Sequence, residues 1–475
     1  MSNSSISSDP IHYLDACELA QLIRERQVSP REVVQAHLDR AAAVNPQLNA
    51  FSLTLADEAL AAAKQAEKDL VDGRRIGALH GVPFTIKDSL DTAGVRTGRG
   101  SRRFADHVPV TDATAVARVK AAGGIPIAKT NVPEFSAWWE TDNLLTGRTN
   151  NPWNLERTAG GSSGGEAAAI AAGFSPLGLG SDVGISVRGP AHFTGIAALK
   201  ATHGRIPFTG HWPATLRRMW HVGPMARSIR DIALAYDVLR GPDGVDPYAT
   251  FGRDAVHARG PEAGQRLRVG WLATPGFGPV DGDVAAAVRD AAQTLADLGN
   301  VVDEARIPIL ADTDCTDVAA RYFAAEFPPY LRPIVAGHED ALHPAGLAAA
   351  KLPPPSLEQY VAAEWSTEQL TSAFAQYFQD HDVLLCPVVT FAAPAHNRSE
   401  HIVAGTTVPA HHVMRATLPF NLTGLPALSV PFRFSRDHLP IGVQVVCRWL
   451  DEGTALRVGA LLEAASEVHG QRPPG

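Results

Sequence analysis

Closely spaced cysteines are missing from this sequence. The 475 residues include four cysteines, Cys17, Cys315, Cys386 and Cys447, and no two of them form a Cys-x-x-Cys pair. Structural zinc sites built on cysteine and the disulfide frameworks of small secreted proteins need closer spacing, so both are excluded. Scattered, reduced thiols are typical of cytoplasmic proteins. We therefore expect a cytoplasmic location.

Long apolar runs are absent as well. Glycine, proline or a charged residue interrupts every candidate before the roughly 18 unbroken apolar residues that a membrane-spanning helix needs. Residues 1–10 are polar and rich in serine, so we expect a flexible N-terminal tail rather than a secretory signal. Residues 11–475 contain no obvious linker. We therefore predict one soluble domain that has no membrane partner.

Clusters of basic residues are also missing. The chain carries 42 Lys and Arg against 50 Asp and Glu, a formal net charge of -8. No run of Lys or Arg is long enough to follow a nucleic acid backbone, so nucleic acid is not expected as a partner. Hydrophobic residues make up 45% of the chain, which is enough to bury a large core.

Helix and strand patterns alternate along the chain. Ser29 and Glu32 form a capping box, so a helix is predicted to begin there and to stop at Asn45-Pro46. Other segments follow helical or strand-like periodicity. Helices are predicted over residues 54–71, 114–122, 284–298 and 454–468, and strands over residues 81–88, 125–129, 427–432 and 441–447. The sum is an α/β chain with a buried central sheet covered by helices.

A Gly/Ser loop at residues 158–165 leads directly into an alanine-rich helix. The loop lacks the Gly-Lys-Ser/Thr ending of a phosphate-binding P-loop. It matches the Gly-x-Ser-x-Gly nucleophile elbow, which would make Ser163 the nucleophile of an α/β-hydrolase. An elbow also needs a downstream acid, a histidine and a strand just upstream, whereas residues 150–157 are predicted to be a loop. The elbow remains an open alternative at this point.

Five motifs in register resemble the amidase signature family. They are GVPFTIKD at 81–88, KTNVPEF at 129–135, GRTNNPW at 147–153, GGSSGG at 160–165 and GSDVGISVR at 180–188. The likeness continues in weaker form to residue 426. It implies the amidase signature fold, in which helices cover both faces of a central mixed β-sheet, with the signature core at about residues 75–230.

By this resemblance, Ser186 is the nucleophile, Ser162 is a relay serine that follows a cis peptide bond, and Lys87 is the general base. The chemistry supports these roles, because a serine hydroxyl reacts only when a base takes its proton, and a second hydroxyl can both accept and donate that proton. Lysine acts as a base only when neutral. Its pKa of about 10.4 must therefore be lowered by about 3, which burial can achieve.

The resemblance also assigns the oxyanion hole to the backbone around the nucleophile, at Val183, Gly184, Ile185 and Ser186. The family usually has glycine immediately before the nucleophile, and this chain has Ile185. A β-branched residue avoids positive φ, so we expect a reshaped loop or a narrowed pocket.

The substrate pocket is predicted from the same resemblance. Its members are Phe135, Ser136 and Ala137 beside the acyl group, Arg205 in a loop that walls the pocket, and an aromatic wall of Trp138, Trp139, Trp212 and Trp220. Flat rings bury well against indoles, so an aromatic cleft favours aryl amides, anilides and aryl carbamates.

The predicted activity is hydrolysis of the C–N bond of small aryl or alkyl amides, extending to carbamates and esters, through an acyl-enzyme on Ser186. Three alternatives stay open: a urethanase acting mainly on aryl carbamates, a tRNA-dependent amidotransferase A-type subunit, and an inert binding protein on the same scaffold. The expected partner is a small-molecule amide or carbamate, and a homodimer is also left open. No cofactor or metal is expected, since the chain lacks an HExxH motif and the adjacent His411 and His412 side chains diverge.

Overall fold

The computed structural model of the chain describes residues 9–250, 266–274 and 276–474, so most of the predicted tail at residues 1–10 lies outside the described residues. The strands are β1 Phe51–Thr54, β2 Pro83–Lys87, β3 Ile125–Thr130, β4 Asn150–Asn151, β5 Asn154–Thr158, β6 Leu177–Asp182, β7 Ala197–Lys200, β8 His221–Ala226, β9 Arg268–Trp271, β10 Val301–Glu304, β11 Val383–Pro387, β12 Glu400–Val403, β13 Thr406–Pro409, β14 Ala427–Phe434 and β15 Pro440–Cys447. The helices are α1 Ala16–Arg24, α2 Pro30–Leu48, α3 Ala56–Val71, α4 Thr114–Ala121, α5 Gly164–Ala171, α6 Arg188–Thr194, α7 Ile229–Leu239, α8 Gly282–Asp297, α9 Ile309–Asp312, α10 Cys315–Val335, α11 Pro344–Lys351, α12 Leu357–Asp380, α13 Leu418–Leu422 and α14 Glu452–Ala464.

Eleven strands form one mixed sheet in the order β1-β3-β2-β6-β8-β7-β14-β15-β11-β9-β10. β2 pairs in parallel with β3 and with β6, and β9 pairs in parallel with β10 and β11. The remaining neighbours of the sheet are antiparallel. The strands are almost entirely buried at the centre of the sheet, which explains their near-continuous apolar sequences.

Helices cover both faces of this sheet. Leu428 and Val430 of β14 point towards Gly459 of α14, whereas Gly442 of β15 lies against His192 of α6 on the opposite face. The mixed α/β architecture predicted from the sequence is confirmed. In the described ranges, no helix is both long enough and apolar enough to cross a membrane.

Two local predictions differ from the structure. α2 continues through Pro46 to Leu48 instead of stopping at Asn45. Pro46 lies in the last turn, where its missing N–H leaves the Ala42 carbonyl without an intrahelical donor. The Asn45 side chain stabilises this end of the helix by accepting hydrogen bonds from the backbone N–H groups of Ala50 and Phe51 just beyond it. The predicted loop at residues 150–157 instead contains a short hairpin, β4 and β5.

The parallel strands β2, β3 and β6 place polar residues at one edge of the sheet. Their carboxyl ends coincide, so Lys87 at the end of β2 lies near Asp182 at the end of β6. α5 packs on β2 and β6, and all eight of its residues are buried. Close approach requires small residues, since a Cβ on Gly165 would lie 2.5 Å from the Asn131 backbone. The Gly/Ser loop that starts α5 therefore reaches the same edge.

Candidate active site

Lys87 lies fully buried below the Gly/Ser loop. Its Nζ donates hydrogen bonds to Ser162 Oγ at 2.7 Å, to Ser181 Oγ at 2.9 Å and to the Ser181 carbonyl at 3.3 Å. Burial lowers the pKa of Lys87 to about 7, although the carboxylates of Asp182 and Glu166 act in the opposite direction. A large fraction of Lys87 is therefore neutral near pH 7, as a proton acceptor must be.

Glu166 of α5 is the second buried charge at this edge. It accepts hydrogen bonds from the hydroxyls of Thr85 and Thr130. Burial raises its pKa to about 7, while those hydrogen bonds and the two nearby lysines Lys87 and Lys129 lower it. A carboxyl group that is partly protonated holds a charged lysine only weakly, so Glu166 does not prevent Lys87 from losing its proton.

The two serines of the predicted triad lie at the ends of adjacent loops. The peptide bond between Gly161 and Ser162 is cis, as the resemblance predicts. Ser186 is 4% exposed, and its carbonyl accepts a hydrogen bond from the Ser163 N–H at 3.2 Å. The structure brings Lys87 and Ser162 into direct contact, whereas no hydrogen bond of the described residues joins the Ser162 and Ser186 hydroxyls.

The backbone N–H groups that lead up to Ser186 are without hydrogen-bond partners among the described residues. None of the N–H groups of Val183, Gly184, Ile185 and Ser186 donates a hydrogen bond to another group in the described part of the chain. The backbone at Ile185 does not lie in the left-handed region. This agrees with the expectation that a β-branched residue avoids positive φ, and a reshaped loop or a narrowed pocket stays a prediction. A Cβ on Gly189 would lie 2.4 Å from Ile185 Cγ1, so the missing side chain of Gly189 leaves room for Ile185.

A buried ion pair holds the loop that carries Ser186, the predicted nucleophile. Asp182 accepts hydrogen bonds from Arg188 Nη2 and Nε, both at 3.0 Å, and from the Val187 N–H at 3.1 Å. Both side chains of the ion pair are fully buried. Burial would raise the pKa of Asp182, but Arg188 and the hydrogen bonds together lower it to about 2. Both ends of the Ser186 loop are thus tied to one carboxylate.

A cavity of about 450 Å³ opens above Ser186. Its volume lies within the usual range for small-molecule sites. Ser136, Ala137 and the oxyanion residues line it, and most of the remaining lining is apolar. The apolar side chains include Trp138, Trp139, Phe323, Phe327, Met414 and Leu418.

Two predicted pocket residues and one half of the predicted aromatic wall do not line this cavity. Phe135 is fully buried and packs against Trp212, with ring centroids 5.4 Å apart. Trp220 packs against His211. Arg205 donates hydrogen bonds to the Tyr236 hydroxyl and the Thr250 carbonyl, so the structure places its guanidinium within the protein, away from the cavity.

A further part of the cavity wall comes from α10 and α11. The sequence left open whether residues 342–352 form a lid over the cleft, and it did not connect α10 with the site. α11 contributes Ala345, Ala348 and Ala349, and it is fastened to the core by Glu134. Glu134 accepts hydrogen bonds from the His343 N–H at 2.8 Å and from Ser101 Oγ at 2.7 Å. The sequence contains no local signal for this wall, because the contact joins segments about 200 residues apart.

The alternative nucleophile Ser163 does not reach the cavity. Its Oγ lies against the backbone of Ser181 and contacts no histidine among the described residues. A strand, β5, does precede the loop, contrary to our expectation, but it belongs to a separate two-stranded hairpin. Within residues 9–250, 266–274 and 276–474, no group of three or more His, Cys, Asp or Glu side chains could hold a metal ion.

Comparisons with known proteins agree with this geometry. The family model described as Amidase matches residues 32–456. The chain is 34% identical to indoleacetamide hydrolase of Bradyrhizobium diazoefficiens over 478 residues, covering 98% of this chain and 88% of that protein. It is 33% identical to the glutamyl-tRNA(Gln) amidotransferase A-type subunit of Moorella thermoacetica over 488 residues, covering 98% and 99%. A bacterial aryl acylamidase of the amidase signature enzymes superposes with a TM-score of 0.88 at 26% identity, covering 98% of this chain and 100% of that chain. The chain therefore belongs to the amidase signature family and is an amidase, a hydrolase of amide C–N bonds.

Proposed function

We propose that the enzyme hydrolyses neutral, apolar amides that carry an aromatic group, through an acyl-enzyme on Ser186. The observation that carries this proposal is the buried contact between Lys87 Nζ and Ser162 Oγ, 2.7 Å long, next to the apolar cavity that Ser186 lines. This contact joins Lys87, a base whose pKa is lowered, to the Ser162 hydroxyl, which can relay a proton. The cavity beside them is large enough for a small-molecule substrate.

The proposed reaction has two acyl-transfer steps. Ser186 Oγ attacks the amide carbonyl, its proton passes to Ser162, and the proton of Ser162 passes to neutral Lys87. The free N–H groups around Ser186 stabilise the oxyanion. The C–N bond then breaks as the leaving amine takes the proton back, and water releases the acid by the same relay. The Ser186 hydroxyl must turn towards Ser162 for this, and such contacts commonly tighten when substrate binds.

The lining of the cavity favours apolar substrates over glutamine. Apart from the imidazole of His411, its lining has no basic side chain among the described residues, so a substrate carboxylate would have no Lys or Arg to pair with. Its two carboxylates are already paired, Asp314 with Arg415 and Asp317 with Arg321. A zwitterionic amino acid would lose hydration there without compensation. This argues against an amidotransferase A-type role, in spite of the similarity to a protein of that kind.

Aryl carbamates are the second candidate substrates. The same cavity accommodates their rings, and a carbamate presents the same carbonyl to Ser186 and its oxyanion donors. A carbamate carbonyl is less electrophilic than that of an anilide, because a second heteroatom donates electrons to it. We therefore place carbamates below anilides and treat a urethanase as the second proposal.

A substrate panel tests this ranking. We expect an anilide to be hydrolysed with a kcat/KM at least about tenfold above that of an aryl carbamate and about 10³-fold above that of L-glutamine, since a site that cannot pair a charge discriminates strongly against it. The measurement is amine or ammonia release by the purified protein. Ser186→Ala is the blank, and Ser372→Ala, at an exposed position of α12, is the matched surface control. Turnover of glutamine alone would favour the amidotransferase alternative, and turnover of carbamate alone would favour the urethanase.

The activity is expected to rise with pH. Because Lys87 must be neutral and its pKa is lowered to about 7, kcat/KM should increase from pH 5.5, reach half of its plateau near pH 7 and level off above it. The measurement is the pH profile of kcat/KM on the best substrate of the panel. A flat profile, or one that falls over this range, would contradict the role of Lys87 as the base.

A further inference from the structure

A histidine outside the predicted triad lies directly behind Lys87. His211 Nε2 is 2.8 Å from Ser181 Oγ, the same hydroxyl that accepts a hydrogen bond from Lys87 Nζ at 2.9 Å. Ser89 Oγ lies 3.2 Å from the same ring nitrogen. The imidazole is 4% exposed and lies between Phe208 and Trp220, with ring centroids 4.3 Å and 4.7 Å away. The ring is therefore held firmly against Ser181.

The donors and acceptors around Lys87 fix the direction of these hydrogen bonds. Neutral Nζ has two N–H groups and one lone pair, and the lone pair must face Ser162 if it is to take the relayed proton. The two N–H groups then need two acceptors, which are Ser181 Oγ and the Ser181 carbonyl. The Ser181 hydroxyl hydrogen must point away from Lys87, and its only other partner among the described side chains is His211 Nε2.

We propose that His211 is a positioning residue for the base: by accepting the hydroxyl hydrogen of Ser181, it keeps both oxygens of Ser181 on the two N–H groups of Lys87 and the lysine lone pair on Ser162. This inference rests on the proposed function. It requires a neutral imidazole that carries its hydrogen on Nδ1. Nδ1 makes no hydrogen bond of standard geometry. The Pro213 carbonyl is the backbone acceptor near the ring, and its effect is to raise the pKa of His211.

The surroundings keep the imidazole neutral. Burial holds the pKa of His211 well below its usual value, and the charges of Lys87, Arg99 and Arg217 lower it further. A protonated ring would donate from Nε2 and turn the Ser181 hydrogen towards Lys87. The same lone pair of Lys87 would then be shared between Ser181 and Ser162, and the relay would lose its acceptor.

Three variants test the role of His211. His211→Leu removes the acceptor at similar size, His211→Gln returns an acceptor oxygen near the Nε2 position, and His37→Leu changes a buried histidine of α2 that has no contact with the triad. We expect His211→Leu to lower kcat by about 10- to 100-fold with KM nearly unchanged, because base positioning contributes to the chemical step. The midpoint of its kcat/KM pH profile should move to lower pH, since the Ser181 hydrogen then stabilises the neutral amine. His211→Gln should recover most of kcat and the original midpoint, and His37→Leu should change neither.

The pH midpoint separates positioning from general damage to the fold. A folded His211→Leu variant with an unchanged midpoint would overturn the proposal, as would a His211→Gln variant as impaired as His211→Leu. If His211→Leu does not fold, His211→Phe, which keeps an aromatic ring between Phe208 and Trp220 but has no acceptor, must show the same downward shift. A second pH profile is recorded for each variant, in which the rate of labelling of Ser186 by a fluorophosphonate is measured against pH. A wild-type protein that is labelled but hydrolyses no amide counts against the proposed function only, and the labelling profile still decides the role of His211.

Discussion

Replacing Lys87 by methionine is expected to make the protein more stable while abolishing its activity. A buried lysine whose pKa falls from 10.5 to about 7 lowers the free energy of unfolding at pH 7 by about 4 kcal/mol, because the unfolded chain keeps its charged amine in water. Methionine has a similar length and no charge to desolvate. It loses three hydrogen bonds, each worth about 1 kcal/mol. We expect a net gain of about 1 kcal/mol in Lys87→Met at pH 7.

The gain in stability should depend on pH with a defined sign. The cost of Lys87 is fully present below pH 7 and disappears as the pH rises towards 10.5, where the unfolded lysine also becomes neutral. The advantage of Lys87→Met should therefore shrink by about 1.4 kcal/mol per pH unit above pH 7. Urea unfolding at pH 7 and pH 9 measures both values. Lys64→Met, at an exposed position of α3, is the control and should show no such pH dependence.

The same variant should lose catalysis. Without the base, the proton of Ser186 has no acceptor, and we expect kcat to fall by about 10⁴-fold or more. A loss of this size together with a higher unfolding midpoint cannot come from a damaged fold. Retained activity in Lys87→Met would remove the lysine from the mechanism and would require another base.

Replacing Arg188 by methionine is expected to have the largest effect on stability. Its guanidinium is fully buried and donates hydrogen bonds to four acceptors: Asp182, Asn421, Gln444 and the Thr417 carbonyl. Removal leaves a buried carboxylate without its partner, which typically costs about 3 to 5 kcal/mol. A typical domain is stable by only about 5 to 15 kcal/mol, so much of the variant should be unfolded or insoluble.

A surface arginine provides the comparison. Arg230 pairs with Asp15 at 3.0 Å, but its side chain is 55% exposed. Arg230→Met should change the free energy of unfolding by no more than about 1 kcal/mol. Thermal unfolding of both variants under one set of conditions measures the difference. Equal effects would mean that the Asp182–Arg188 pair does not hold the nucleophile loop.

The sequence predicts the catalytic edge better than the walls of the cavity. Lys87 ends the strand predicted at residues 81–88, which the structure confirms as β2. β2 pairs in parallel with β6, which ends at Asp182 and was not predicted, and a strand prediction for residues 177–182 would have placed both side chains at one edge. The same argument could have found Ser181, which precedes Asp182 and faces Lys87. His211 could not be found this way, because it reaches Lys87 from a loop 30 residues after Ser181.

The missed features depend on contacts between distant segments. The Asn-rich stretch at residues 150–157 shows no strand periodicity, yet it forms a hairpin because the Asn151 side chain donates to the Thr158 and Phe193 carbonyls. Arg205 was assigned to the pocket by resemblance alone, and its hydrogen bonds to Tyr236 and Thr250 place it elsewhere. Local pattern carries no information about such long-range partners.

The position of α10 and α11 has a consequence for how such enzymes diversify. The proposed reacting groups lie between Lys87 and Arg188, whereas α10 and α11 supply half of the cavity lining from a stretch more than 120 residues later. Evolution or protein engineering can therefore replace the segment of α10 and α11 and change the substrate that the cavity accepts. The residues proposed to transfer the proton, Lys87, Ser162 and Ser186, would stay unchanged. Glu134, which fastens α11 through the His343 N–H, marks the junction that any such graft has to preserve.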